Sequence, residues 1–245
     1  MAFGSQNAKF KRRGVRVSGM RSRARRRYRA IRYKRKLMNL TQQVIPIIGF
    51  KKVRYHDTMA LNLVNTFQAQ KKYSLNGLYD PDITGIGHQP LGFDQMMGLY
   101  NKYCVLGAKV TVLGRPGSTS NSYPMNLIIE QSPLSSLTYQ TASQAWEKNT
   151  CKIVTFNSSY QDVYVPQQKL GLNFSAKKSF RAKDRNQIIA VDHYNGDSSS
   201  NPDQQWFLYV TYLGQGDQQT TASLYVDVTI EYIVAFHDRK NILQS

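Results

Sequence analysis

Cysteine is nearly missing from this 245-residue chain, which has only Cys104 and Cys151. Two cysteines exclude a disulfide-stapled scaffold and a Cys-rich metal centre, and both are expected as reduced thiols within strands. Histidine is almost as scarce. The four, at 56, 88, 193 and 237, include no pair at metal-ligand spacing, so no metal and no cofactor is expected. Acid is absent from the first 56 residues. No apolar run approaches the roughly 18 residues of a membrane span. The N-terminus is basic without an apolar segment behind it, so a secretory leader is not expected. No period of 20 to 50 residues recurs, which argues against a solenoid or propeller.

The motifs of catalysis are missing as well. His56–Asp57, Asp192–His193 and His237–Asp238 are sequence neighbours. Neighbours on a strand point to opposite faces, so these pairs read as surface polar residues rather than catalytic dyads. Gly85-Ile86-Gly87 opens like a dinucleotide loop but lacks the third glycine and the flanking strand and helix. Neither a phosphate-loop lysine nor a nucleophile elbow is present. Glu130 and Glu147 are the only carboxylates of the middle strands, too little for glycosidase chemistry. Asn39, Asn157 and Asn173 match the glycosylation pattern, which without secretion is coincidence. An enzyme is not expected.

What is present is positive charge, all at one end. Lys plus Arg total 33 against 15 Asp plus Glu, a formal +18. Eighteen of the basic residues precede Asp57. They are Lys9, Lys11, Arg12, Arg13, Arg16, Arg21, Arg23, Arg25, Arg26, Arg27, Arg29, Arg32, Lys34, Arg35, Lys36, Lys51, Lys52 and Arg54. From residue 55 onward 15 basic residues face 15 acidic ones. Fifteen like charges before residue 37 repel one another and have almost no apolar partner, so a disordered N-terminal arm, residues 1–45, is expected. Arginine dominates from Arg21 to Lys36, and its planar fork suits phosphate. Tyr28 and Tyr33 are placed among the cations to stack on unpaired bases. No finger, zipper or helix-turn-helix spacing occurs, so the expected contact is with backbone and independent of sequence. The same run could serve nuclear import.

Residues 46–245 read as β. Leu224, Val226, Val228, Ile230, Tyr232, Val234 and Phe236 alternate with polar or smaller residues, and the seven should face a core. Val53, Tyr55, Met59, Leu61, Leu63 and Phe67 share one parity, broken by Asp57 and Asn65. Tyr103 to Leu113 puts Cys104, Leu106, Ala108, Val110 and Val112 on one face. Shorter strands are expected over Asn126–Gln131, Cys151–Phe156, Leu170–Ala176, Ile188–Tyr194 and the aromatic Gln205–Leu213. Single helices are expected over Phe93–Lys102 and Thr141–Lys148. About eight strands joined by long polar connections suggest a two-sheet sandwich. Trp206 and Phe236 are candidate core anchors, and Trp146, beside a polar loop, is a candidate subunit contact.

An Arg-rich arm before a neutral eight-strand body resembles a viral coat protein. The stretch His88-Gln89-Pro90-Leu91-Gly92-Phe93-Asp94-Gln95, running through Tyr100 and Tyr103 to Val110-Thr111-Val112, is similar to a segment of one group. That group is the circovirus-like capsid proteins of small circular single-stranded DNA viruses. Ala176-Lys177-Lys178-Ser179-Phe180 is similar to a Lys-Lys-aromatic element of the same group. The resemblance implies an all-β, eight-stranded jelly roll of two facing antiparallel sheets. It implies self-assembly into an icosahedral homo-oligomer of about 60 copies, with the arm turned inward onto single-stranded DNA. It also implies host import factors as partners, a surface receptor of unknown kind, no membrane, and residence in the virion and, during assembly, the host nucleus. The alternatives are the coat of a small RNA virus, or a cellular basic-arm protein of ribosomal or chromatin type. The cellular proteins usually spread their cations over the folded surface, which the neutral body here does not. An enzyme or lectin with a targeting tail would need clustered histidines or carboxylates.

Overall fold

A computed structural model describes residues 45–116, 124–156, 167–214 and 220–241. The chain divides into two units, Met1–Pro46 and Ile47–Ser245, and the fold described here is that of the second. It contains β1 (Gly49–Thr66), β2 (Gln68–Ser74), β3 (Tyr100–Pro116), β4 (Met125–Ser132), β5 (Cys151–Phe156), β6 (Gln168–Ser175), β7 (Asn195–Gly196), β8 (Phe207–Gly214) and β9 (Thr220–Arg239). Short helices occupy the connections: α1 (Phe93–Met97), α2 (Ala142–Glu147), α3 (Ala176–Ser179) and α4 (Arg185–Ala190), followed by a 3-10 turn at Asp192–Tyr194.

Two antiparallel sheets form. Sheet A has the order β1-β9-β3-β6, with β7 added to β3, and sheet B has the order β2-β8-β4-β5. Setting aside the two-residue β7, the first long strand pairs with the last, the second with the second-last, the third with the third-last, and the two middle strands with each other. A single long hairpin wrapped on itself gives this nesting, which is the jelly roll. Phe67 alone joins β1 of sheet A to β2 of sheet B, and its carbonyl accepts from Gly214 N at 3.0 Å.

The seven alternating residues from Leu224 to Phe236 are all fully buried, on the face of β9 turned to sheet B. β1 follows its expected parity, and the two interruptions have separate causes. Asn65 adopts φ 51° where the register with β9 slips by one residue, between Leu63 and Thr66. Asparagine tolerates that left-handed backbone better than most residues. Asp57 points inward and is half-buried, satisfied from the facing sheet by Lys71 and Tyr73.

In β3 the sequence parity fails because of a bulge. Val105 pairs with Val234 but Gly107 pairs with Ile233, leaving Leu106 unpaired. An extra residue reverses the face of every side chain beyond it. Ala108, Val110 and Val112 face the core as expected. Before the bulge the core residues are Tyr103 and Val105, while Cys104 turns to the outer face, where its Sγ lies 3.8 Å from the Ile188 carbonyl.

Two further expectations are corrected, and one strand carries no periodic signal. Ile188–Tyr194 is helical, not a strand. Asp184 caps α4 by accepting from Gln187 N at 2.8 Å, and Ile188 and Ile189 are both buried. The helix from Phe93 stops at Met97, because Tyr100 already belongs to β3. β2, with its polar sequence QAQKKYS, was not visible in the periodicity.

Phe236 is fully buried and packs near Tyr100. Trp206 is only half-buried. It precedes β8 in a segment clamped by Asn76, whose Oδ1 accepts from Trp206 N at 2.8 Å. It therefore lines the rim rather than anchoring the core. Phe236→Ala should lower the unfolding free energy by about 3–5 kcal/mol, and Trp206→Ala should cost clearly less. Denaturant unfolding of both variants checks this, and equal losses would contradict the placement.

Candidate nucleic-acid and assembly surfaces

The expected phosphate contacts from Lys9 to Lys36, together with Tyr28 and Tyr33, lie outside the described residues. The basic series continues into β1 with Lys51, Lys52 and Arg54, all exposed. Arg54 reaches Glu231 at 2.6 Å on the neighbouring strand, a solvent-exposed pair that contributes little to stability.

The outer face of sheet A is open over β1 and β9. Register sets its rows: Arg54, Glu231 and Lys109 stand side by side, then His56, Thr229 and Thr111, then Thr58 and Asp227. His56 Nδ1 lies 3.0 Å from Thr229 Oγ1, and Asp227 accepts from Thr58 and Arg115, each at 2.9 Å. Lys52, Arg54, Lys109, Arg115 and Lys169 outnumber the two carboxylates of this face. The same face exposes Phe50, Tyr225 and Ile233.

The outer face of sheet B is covered by the chain itself. The connection 133–150 folds back over it, so Ile128, Tyr139, Ala145 and Leu213 form a second small core. Tyr209 Oη donates to the Leu134 carbonyl at 2.5 Å and Lys72 Nζ to the Ser135 carbonyl at 2.9 Å. Glu130 fastens this cover. Its carboxylate accepts from Tyr139 Oη, from Thr150 Oγ1 at 2.9 Å, from Cys151 Sγ at 3.2 Å and from Lys148 Nζ at 3.2 Å. Burial alone would raise its pKa. The hydrogen bonds and the Lys148 charge outweigh burial and hold it below the usual glutamate value. Burial first, opposed by the Tyr139 hydrogen bond and helped by the hydrogen bond to Glu130 and its charge, pushes the Cys151 thiol up to about 11. It is a hydrogen-bond donor here, not a thiolate nucleophile.

Inside the sandwich, Lys71 Nζ bridges Asp57 at 2.9 Å and Asp82 at 3.0 Å, and Tyr73 Oη donates to Asp57 at 2.6 Å. Burial opposes the charge on Lys71, but the two carboxylates outweigh it and raise its pKa. This knot ties β1 and β2 to the connection 75–99. His88 stacks on Tyr55 with ring centres 4.7 Å apart. Of the His–Asp neighbours, His56 and His193 are surface groups as expected, whereas Asp57 and His237 are half-buried. Both cysteines are free, Cys104 buried and Cys151 half-buried. Among the described residues no group of three His, Cys, Asp or Glu could hold a metal. No helix among them is long and apolar enough to cross a membrane.

β2 and β4 both end opposite Phe207, where β8 begins. The connections 75–99, 133–150 and 176–206 therefore meet at one end of sheet B. Within these connections Ile86 is 86% exposed, Leu91 91% and Trp146 59%. Composition singled out only Trp146. Ile86 and Leu91 sit in Gly/Pro-rich chain where an apolar residue gives no periodic signal. Lys177 and Lys178 stand out in the sequence only as part of a Lys-Lys-aromatic element; the excess charge of the longer run with Arg181, Lys183 and Arg185 is hidden in any sum over the body, because acids elsewhere offset it.

The Glu130 cluster makes a pH prediction. A carboxylate whose folded pKa is depressed stabilises above its unfolded pKa, about 4.3, and that contribution is lost as pH falls through the folded value. The wild type should lose stability below about pH 4.3 more steeply than Glu130→Gln. Unfolding midpoints between neutral and acid pH check this. Parallel curves would mean that Glu130 does not hold the cover.

No family model and no curated protein sequence matches this chain. Solved structures with partial likeness include that of Desmodium yellow mottle tymovirus, at 14% identity and TM-score 0.36 with all of both chains covered. The mud crab tombus-like virus structure is 15% identical, with TM-score 0.43, over 82% of this chain and 86% of that one. The decameric BFDV capsid protein is 11% identical, with TM-score 0.38, over 78% of this chain and 99% of that one. The jelly-roll assignment rests on the strand order given above.

Proposed function

We propose that this chain is the structural coat protein of a small icosahedral virus, a non-enzymatic protein whose body, residues 46–245, self-assembles. Its basic arm, residues 1–45, packages single-stranded nucleic acid. The observation that carries this reading is the segregation of charge. The arm holds 15 cations before residue 37, while the chain from residue 55 onward has as many acids as bases. The body, at +3 over residues 46–245 through Lys51, Lys52 and Arg54, can meet copies of itself with little net repulsion, while the arm meets a polyanion. The half-bare sheet A and the exposed apolar residues at the end of sheet B offer surfaces for such contacts.

With about 60 copies, 15 charges each amount to roughly 900 positive charges, matched by about as many phosphates. Crowding that charge into one shell is tolerable only with polyanion present, so assembly is coupled to nucleic acid. The preference for DNA over RNA, the copy number and passage through the nucleus rest on the sequence resemblance. Coat proteins of small RNA viruses obey the same physics, and the nucleic acid protected from nuclease in purified particles decides between them.

Replacing Arg23, Arg25, Arg26 and Arg27 together by Ala should weaken binding of full-length protein to a single-stranded oligonucleotide. It should also flatten the dependence of log affinity on log salt by about 3, at roughly 0.7 per lost phosphate contact. An unchanged slope would remove these residues from the packaging site. Any single replacement should change little, because the contacts are redundant.

A further inference from the structure

We infer that the elbow joining β6 to α4 is a second nucleic-acid contact, carried by the folded body rather than by the arm. The choice of a polynucleotide as ligand rests on the packaging role proposed above. Lys177, Lys178, Arg181, Lys183 and Arg185 place five cations within nine residues, against the single acid Asp184. All five are exposed, and none of their side chains has an ion pair or hydrogen bond among the described residues.

None of the acids at 184, 192, 197 and 203 pairs with these cations. Asp184 caps α4 through Gln187 N at 2.8 Å. Asp192 pairs with Lys102 at 2.8 Å and Asp203 with His193 at 3.0 Å. Asp197 accepts from Ser199 N at 2.7 Å and Ser200 N at 2.8 Å. Five cations against Asp184 leave the elbow a local excess of four, more than the +3 of the whole body.

The elbow is also held in shape. The Phe180 ring stacks on Tyr194 with centres 4.0 Å apart. Ala176 and Ala182 are buried beneath it, and Ala182 N donates to the Lys177 carbonyl at 3.0 Å. Arg181 takes a left-handed backbone at φ 54°, a conformation an arginine adopts only where its surroundings impose it. Cations presented on a fixed turn lose little backbone entropy on binding, unlike those of a chain that must first order. The arginine forks match phosphate geometry. Lys169, on the outer face of the same strand β6, extends the basic surface along sheet A. The elbow and the first residue of β1 lie at the same end of sheet A: Gly49 pairs with Phe236, Phe236 with Tyr103, and Tyr103 with Gly196, two residues after Tyr194. No base-reading geometry accompanies these cations, so the contact is with phosphate and indifferent to sequence.

The test uses full-length protein carrying Lys177→Gln, Lys178→Gln, Arg181→Asn, Lys183→Gln and Arg185→Gln, the asparagine chosen because it tolerates positive φ. Binding to oligo-dT is followed across a salt series. The slope of log affinity on log salt should fall by about 3.5, at roughly 0.7 per lost contact, and a version with the three lysines changed to arginine should keep the wild-type slope. An unchanged slope overturns the inference. So does a variant that loses heparin binding while its oligo-dT slope stays intact, since the elbow would then recognise a sulfated polysaccharide. So does one that no longer forms particles yet binds oligo-dT as before, since the elbow would then be a subunit contact. Should the fivefold variant not fold, acylation of the wild type replaces it: oligo-dT should protect Lys177, Lys178 and Lys183 more than Lys152, and equal protection overturns the inference. Particles that persist alongside an unchanged slope sink the elbow alone, whereas wild-type protein that never forms particles sinks the packaging role itself.

Discussion

β9 holds the body together. Its twenty residues pair with β1 on one side and β3 on the other, and its seven inward residues supply the central row of the core. The first strand of the chain can join sheet A only by lying against the last. The nesting of every other strand pair follows from that contact. A long strand buried on one face strongly specifies its register, because a slip of one residue would turn Leu224 through Phe236 outward. The two bulges, at Leu106 of β3 and beside Asn65 of β1, lie in its partners rather than in β9 itself.

The two sheets differ in what covers them. Sheet B is sealed by its own connection, fixed through Glu130, Tyr139, Thr150, Cys151 and Lys148. Sheet A shows charged and apolar groups together over β1 and β9, with cations in excess and five more on the adjoining elbow. This asymmetry gives one folded unit both a self-supporting side and a side open to partners. Charge is arranged the same way at the scale of the whole chain, with +15 in the arm and only +3 over the body.

Much of this was legible in the sequence. Period-two alternation is unambiguous where one face is buried and the other wet, as in β9 and β1. It is silent in β2, an edge strand whose lysines are held by Asp57, Asp82 and Ser135, contacts that only the folded chain creates. A bulge leaves no mark in composition, so the faces of Cys104 and Leu106 were misread. The apolar pair Ile188–Ile189 suits strand or helix equally, and the deciding cue was the cap at Asp184. The Glu130 cluster could not be foreseen, because its members meet only when residues 133–150 fold back. The elbow was visible as a Lys-Lys-aromatic run, but its unpaired charge appears only once the partners of Asp184, Asp192, Asp197 and Asp203 are known.

The central claim is that this jelly roll builds a closed shell around nucleic acid, and electron microscopy of purified full-length protein tests it most directly. The account predicts uniform closed particles with density inside. Monomers or irregular aggregates at every salt concentration, even with single-stranded DNA added, would contradict it.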